Sequence, residues 1–347
     1  MSVKVSVLLP SLNVGKYIEQ CLKSVIDQDL KDIEILCIDA GSTDGTLETI
    51  QKYADKDSRI RIINSEKKSY GYQMNLGMKN AAGDYIGIVE TDDYIEPDMY
   101  KKLVETAESF QADAVKGNYY TYEGGKNTKY SLFAAFPYNR VINAREYNRL
   151  FGREPSIWTG LYRKEFIEKN GICFSETPGA SYQDAGFIHS VWICAEKVVL
   201  VDQPYYHYRT DNENSSVHSK EKVYAVCDEY DRIVSFAKEH HADKKSMCAI
   251  WAVRADAYFW NLERIDEKFK PEFIQHMHDE FTAADKEGEI DLSMFPAQIR
   301  GRMKAVLNNP EQYKESEPGR LEELYYNIDR HGLKYMIENK LNRKMGK

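Results

Sequence analysis

The run Glu90-Thr91-Asp92-Asp93 follows directly on the apolar stretch Tyr85–Val89. Its two adjacent aspartates, at the end of a buried strand, repel each other and cost stability unless something neutralises them. A hard divalent cation does so by bridging one or two carboxylates to phosphate oxygens, the way Mg2+ and Mn2+ sit beside nucleotides. The plainer reading gives one aspartate to the cap of a helix starting near Pro97 and leaves the other in solvent. Position favours the cation. Two more polar clusters follow apolar runs earlier in the chain, Pro10-Ser11-Leu12-Asn13 and Asp39-Ala40-Gly41-Ser42-Thr43-Asp44-Gly45.

The elements that must position these clusters read clearly. Val3–Leu9, Ile33–Ile38, Ile60–Ile63 and Tyr85–Val89 are short apolar runs ended by polar or turn residues, the pattern of buried strands. Between them, Tyr17, Ile18, Cys21, Leu22, Val25 and Ile26 form a helical stripe. Leu47, Ile50 and Ala54 form a second stripe behind a cap at Asp44, and Met74–Ala82 reads as a third helix. Strand and helix alternating with short connections imply an α/β fold, a mostly parallel sheet with helices on both faces. Such sheets bind ligands at the carboxyl ends of their strands, so all three clusters share one edge. Further on, Ala112–Gly117 is strand-like and Tyr182–Ala195 helical. From Ser219 the periodicity is almost all helical, including Tyr224–Ala237, Met247–Leu262 and Glu322–Ile328. The expected division is an α/β domain over 1–216 and a helical C-terminal region over 217–347.

Composition narrows the classes. A chain of 347 residues with 42% hydrophobic content can bury two cores or one core with a large appendage. A net charge of −8 speaks against a nucleic-acid binder. No apolar run approaches the roughly 20 residues of a membrane span. The N-terminus reads as a first strand rather than a signal peptide. With six scattered cysteines and no C-x-x-C pair, reduced thiols in a cytoplasmic protein are expected, and no zinc cage. The first strand-to-helix turn lacks G-x-G-x-x-G, against a nicotinamide-dependent dehydrogenase, and Gly15-Lys16 lacks the rest of a P-loop.

Five motifs in order carry a resemblance: Val5–Asn13 with its P-x-x-N end, the Asp39-x-Gly-Ser-Thr-Asp-Gly turn, Gly71…Asn75-x-Gly77, Gly83-Asp84-Tyr85-Ile86, and Glu90-Thr91-Asp92-Asp93. Together they resemble family-2 glycosyltransferases, with the Rossmann-like, A-type nucleotide-diphospho-sugar fold. Trp158–Lys164, Pro178–Asp184 and Tyr205–Arg209 are similar to members that build bacterial surface glycans. The resemblance implies that Pro10, Ser11, Leu12 and Asn13 contact the nucleoside and that Asp39 accepts a hydrogen bond from uracil. Gly71, Asn75 and Thr91 fall on the nucleotide-sugar side. Asp92 and Asp93 would hold Mn2+ or Mg2+ on the diphosphate, with His207 and Arg209 reaching it from a loop; a surface salt bridge is the other reading of that pair. Asp184 matches the base that deprotonates the acceptor hydroxyl. At a helix N-terminus it would stay ionised.

The chain departs from the family pattern in places. Glu90 replaces the first aspartate of D-x-D, and Met74 stands where members often carry an arginine facing the nucleotide. Lys67, Lys68 and Arg209 are the candidate substitutes. Gln183 precedes the base where a glutamate is usual. Tyr119, Tyr120, Tyr122, Tyr130 and Tyr138 could stack on an acceptor sugar or simply fill the core. The basic, amphipathic segment from Leu333 to Met345 suits a dimerising or docking helix, and equally an anionic membrane surface at the inner face of the cell membrane.

The function expected is inverting, metal-dependent transfer from a UDP-linked sugar to a glycan, lipid-linked or glycoprotein acceptor. The alternatives are a degenerate nucleotide-sugar-binding subunit of another glycosyltransferase and a sugar nucleotidyltransferase.

Overall fold

A computed structural model describes residues 3–212 and 223–313. They form two compact units, residues 3–143 with 155–212, and residues 144–154 with 223–313. The stretch 144–154, expected inside the α/β part, belongs with the helices. The basic segment from Leu333 and the Glu322–Ile328 periodicity lie outside the described residues.

In the first unit, β1 (Val5–Ser11), β2 (Ile33–Asp39), β3 (Ile60–Asn64) and β4 (Tyr85–Ile88) alternate with α1 (Ile18–Ile26), α2 (Thr46–Ala54) and α3 (Tyr70–Asn80). After β4 come β5 (Tyr94–Ile95), α4 (Met99–Phe110), β6 (Ala114–Glu123), β7 (Lys126–Tyr130) and β8 (Val141–Ile142). The unit closes with β9 (Gly160–Arg163), α5 (Lys164–Lys169), α6 (Gln183–Cys194) and β10 (Val198–Arg209). Every residue of β1 and β2 is buried, which is why these strands are apolar throughout rather than alternating. α3 starts at Tyr70, earlier than its apolar periodicity suggests, because the Ser69 hydroxyl accepts from the Tyr72 N–H at 3.2 Å and caps it.

The sheet order is β3-β2-β1-β4-β9-β6-β10-β5, with β7 on β6 and β8 on β10. β1, β2, β3, β4, β6 and β10 run in one direction; β5, β7, β8 and β9 oppose them. The sheet is therefore mostly parallel, with β9 inserted antiparallel between β4 and β6. Ser11, Asp39 and Arg209 all end parallel strands on one edge, and the acidic run begins just beyond the same end of β4.

The second unit contains α7 (Ala225–Glu239), α8 (Lys244–Arg264), α9 (Lys270–Lys286) and α10 (Ala297–Asn308). Its core encloses a charge. Arg254 on α8 is almost fully buried, pairs with Asp231 of α7 at 2.6 Å and with Glu280 of α9, and donates from its Nε to the Tyr258 hydroxyl at 2.9 Å. Tyr258 in turn donates to Glu280 at 2.8 Å. One cation thus fixes the register of three helices. Among the described residues no helix is long and apolar enough to cross a membrane.

Removing one partner of a buried ion pair strands the other. Arg254→Ala should destabilise the helical unit by about 3–5 kcal/mol, read from urea unfolding by circular dichroism. An unchanged midpoint would show that the network carries no stability.

Candidate active site

The ends of β1 and β2 are stitched together by short polar bonds. Asp39 accepts from the N–H groups of Gly41 and Ser42 at 2.9 and 3.0 Å and from the Ser42 hydroxyl at 2.5 Å. Its carboxylate therefore shapes its own turn, with lone pairs left over for an incoming donor. Asn13, in the left-handed region at φ 55°, accepts the Thr43 N–H at 2.9 Å, and its own N–H donates to Ser42 at 3.0 Å. Pro10 and Ser11 lie inside: the Pro10 carbonyl accepts from Thr91 at 2.8 Å, and that of Ser11 from the buried Gln73 amide at 3.0 Å. The same Gln73 amide reaches the Ile38 carbonyl, so one side chain braces both strand ends. Leu12 and Asn13 are the members of their cluster that stay exposed.

After β4 the two aspartates part company. Asp93 turns inward, 2% exposed, where one oxygen accepts the Tyr206 hydroxyl at 2.9 Å and the other the Arg209 N–H at 2.7 Å. Burial and the neighbouring Asp92 push its carboxyl well above the usual range. This corrects the expectation that Asp93 holds a cation, because both of its oxygens tie β10 to the acidic run. Asp92 stays half-buried and accepts from the Asn212 amide at 2.8 Å. Glu90 receives the Tyr70 hydroxyl at 2.6 Å, and its N–H donates to Tyr206 at 3.0 Å. Burial raises Glu90 to about 8; the Tyr70 bond opposes the rise, while Asp92 and Asp184 add to it.

Arg209 lies against the same loop. Its Nε donates to the Asp92 carbonyl at 2.9 Å, another guanidinium nitrogen reaches Gln20, and the rings of Tyr17 and Tyr122 flank it at 4.9 and 4.7 Å. His207 does not come to the edge, which corrects its assignment to the diphosphate. It is stacked on Tyr94 and Tyr120 at 4.2 and 4.9 Å and bonded to Asn127 and Glu96. Side chains alternate along a strand, so residues 207 and 209 share a face and only the second reaches the end of β10.

Gly71 and Asn75 also serve a different purpose from the one expected. A Cβ at Gly71 would run into the Ser175 carbonyl, and Asn75 bonds Phe174 through both its amide and its carbonyl oxygen. Together they hold residues 174–176 against α3. Thr91 is buried and spent on Pro10. Met74, where an arginine was looked for, is fully buried. Lys67 pairs with Glu176 at 3.0 Å. The tyrosines pack: Tyr119 meets Tyr130 and Trp158 at 4.8 and 4.9 Å, and Tyr138 accepts from Asn118.

Asp184 is the second residue of α6, whose N-cap Tyr182 takes a left-handed φ of 60°. One of its oxygens accepts the Ala185 N–H at 2.9 Å, as an acidic residue in a first helical turn does. Gln183 bonds Thr177 and Gly179 and holds the loop before it. Burial raises the Asp184 carboxyl above the ordinary range, and Lys116 acts against the rise. Its charge is felt by both Glu90 and Tyr70, so the base candidate faces the acidic run.

The edge thus gathers Leu12, Asn13, Asp39, Glu90, Asp92, Arg209 and Asp184. Among the described residues no three His, Cys, Asp or Glu side chains cluster as a metal cage. Asp92 fits the other way of holding Mg2+ or Mn2+, one carboxylate with phosphate and water completing the shell. Sequence reasoning gave no role to Tyr70 or Tyr206; the signal available was a tyrosine beside the Gly71 motif and another inside Tyr205–Arg209. Tyr206→Phe leaves a buried Asp93 oxygen and the Glu90 N–H without a partner, and should cost about 1–3 kcal/mol in denaturant unfolding. Stability equal to the parent would rule out the brace.

The model of glycosyl transferase family 2 matches residues 6–170. The chain is 33% identical over 217 residues to the uncharacterized glycosyltransferase EpsJ of Bacillus subtilis, covering 61% of this chain and 62% of that protein. It is 29% identical over 221 residues to the glycosyltransferase GlyG of Streptococcus pneumoniae, covering 60% and 71%. The match to EpsJ thus spans less than two thirds of its length. The crystal structure of S. aureus TarS 1-349 in complex with UDP-GlcNAc superposes with a TM-score of 0.73 at 20% identity, over 93% of this chain and 92% of that one, a likeness of fold. The family match and the relatives point the same way: residues 6–170 form a family-2 glycosyltransferase domain.

Proposed function

We propose that the chain transfers a sugar from a UDP-linked donor to a hydroxyl of a surface glycan or glycoconjugate, inverting the anomeric carbon. The observation that carries this reading is Asp184, a carboxylate at the start of a buried helix, raised in basicity and facing the acidic run across the edge. The relatives' names and the UDP-GlcNAc bound to TarS support the donor class.

Asp39 and the exposed Leu12–Asn13 turn receive the nucleoside, and Arg209 lies where it can face diphosphate charge. Asp92 is the residue that would hold Mg2+ or Mn2+, whose chemistry is to neutralise the leaving diphosphate. Asp184 takes the proton of the acceptor hydroxyl as that oxygen bonds to the anomeric carbon. The bond from that carbon to the diphosphate oxygen breaks with its electron pair, UDP departs, and the proton passes from Asp184 to water. Attack from the face opposite the diphosphate inverts the centre, and no covalent enzyme intermediate is needed.

A second reading has one observation in its favour. Met74 puts no charge on the nucleotide side, as a binding subunit without turnover could tolerate.

The deciding experiment incubates the chain with Mn2+ or Mg2+ and a panel of UDP-, GDP- and TDP-sugars and detects released nucleotide. Metal-dependent release from a UDP-sugar is expected; tight UDP binding with no release from any donor would favour the binding subunit. Asp184→Asn should lower turnover at least about 100-fold with UDP affinity kept. Turnover retained in that variant would remove Asp184 as the base. Because Asp184 loses its function when it protonates, the rate should fall toward acid pH at a limb above the ~3.9 of a free aspartate.

A further inference from the structure

Lys116 on β6 is fully buried, and its ammonium faces neither solvent nor the strand edge. It donates to the carbonyls of Pro155 and Ser156, both at 2.7 Å, lengths typical of charge-assisted bonds. These carbonyls open the turn Ile157–Thr159 that carries Trp158 into β9. Ser156 is strained, a non-glycine residue at φ 35°. Its carbonyl also accepts from the Thr159 N–H at 3.0 Å and the Thr159 hydroxyl at 2.9 Å. Tyr162 secures the next carbonyl, that of Ile157, at 2.8 Å. Gly160 is open enough to admit both side chains: a Cβ there would lie 3.1 Å from Lys116 Cγ and 2.8 Å from the Tyr162 hydroxyl.

The turn packs against β4, whose end bears Glu90, and against α6, which bears Asp184. Trp158 stacks on Tyr206 at 4.2 Å, the tyrosine that braces Asp93. On the α6 side, Lys116 Nζ lies 6.0 Å from the Trp192 ring; burial pushes its pKa well down, and Asp184 acts against the fall.

We propose that Lys116 is a positioning residue for the transfer step: it clamps the strained Pro155–Ser156 turn, which packs against both β4 and α6. This rests on the reading of Asp184 as the base. A surface lysine could not clamp the turn, because its donors would be shared with water. Around Asp184 the titratable groups are Lys116 from β6, Glu90 after β4 and Tyr70 from α3. Around Lys116 they are Asp184 from α6 and Tyr162 from β9.

The test uses Lys116→Met and Lys116→Gln in the full chain, with UDP binding in Mn2+ as the check that each variant is folded. Lys116→Met removes the clamp; Lys116→Gln keeps two N–H donors. Hydrogen exchange at the Thr159 amide should quicken about tenfold or more in Lys116→Met and less in Lys116→Gln. In turnover of UDP-GlcNAc, kcat should fall about tenfold or more in Lys116→Met and less in Lys116→Gln, with KM unchanged. Unchanged Thr159 protection overturns the clamp, and an unchanged kcat overturns the role in transfer. Should Lys116→Met fail to bind UDP, Lys116→Gln decides by the same two readouts. No UDP release by the parent chain is a failure of the transferase reading, and the role in transfer falls with it, whereas the exchange result still judges the clamp.

Discussion

A carboxylate that is turned away from the strand edge holds the site together. Asp93 sits inside the protein, bonded to a tyrosine hydroxyl and a backbone N–H of β10. An unpaired buried carboxylate is costly, so wherever β10 goes, the loop after β4 must follow. That constraint explains why a two-residue strand, Tyr94–Ile95, is enough to pair with β10. It also fixes Arg209, whose guanidinium then lies on the Asp92 backbone and leaves the Asp92 side chain toward the edge.

Around this anchor the site collects more negative charge than it neutralises. Asp92 and Asp184 both act on Glu90, and burial lifts both Glu90 and Asp184 out of the ordinary carboxylate range. Such a cluster suits a ligand that brings cations or hydroxyl protons with it. Arg209 is a cation built close to it, beside Asp92, whereas burial pushes Lys116 well down.

The α/β half of the fold was legible in the sequence because buried parallel strands are apolar without alternation, and each ended at a polar cluster. β1 to β4 follow directly from that pattern. β9 did not, since a four-residue strand inserted antiparallel depends on long-range pairing with Gly87 and Val115 that no local signal encodes. In the site, residue types did not reveal which way each side chain turns. Asp92 and Asp93 are indistinguishable as letters; only the tyrosine of β10 decides which one turns inward. His207 failed for a similar reason, because its aromatic neighbours come from β5 and β6. Gly71 and Asn75 were noticed correctly as special positions, yet what they satisfy is the backbone of residues 174–176.

The excursion of residues 144–154 into the helical unit has a consequence for how the chain is made. Leu150 and Phe151 are fully buried, and the short helical turn at 148–150 packs on α8, about a hundred residues further along. At ordinary rates of synthesis of about 5–20 residues per second, those side chains wait several seconds for their cover. During that interval the nascent sheet carries an apolar loop it cannot bury by itself. The order of translation therefore makes completion of the first unit's own sequence a different event from the sealing of its chain.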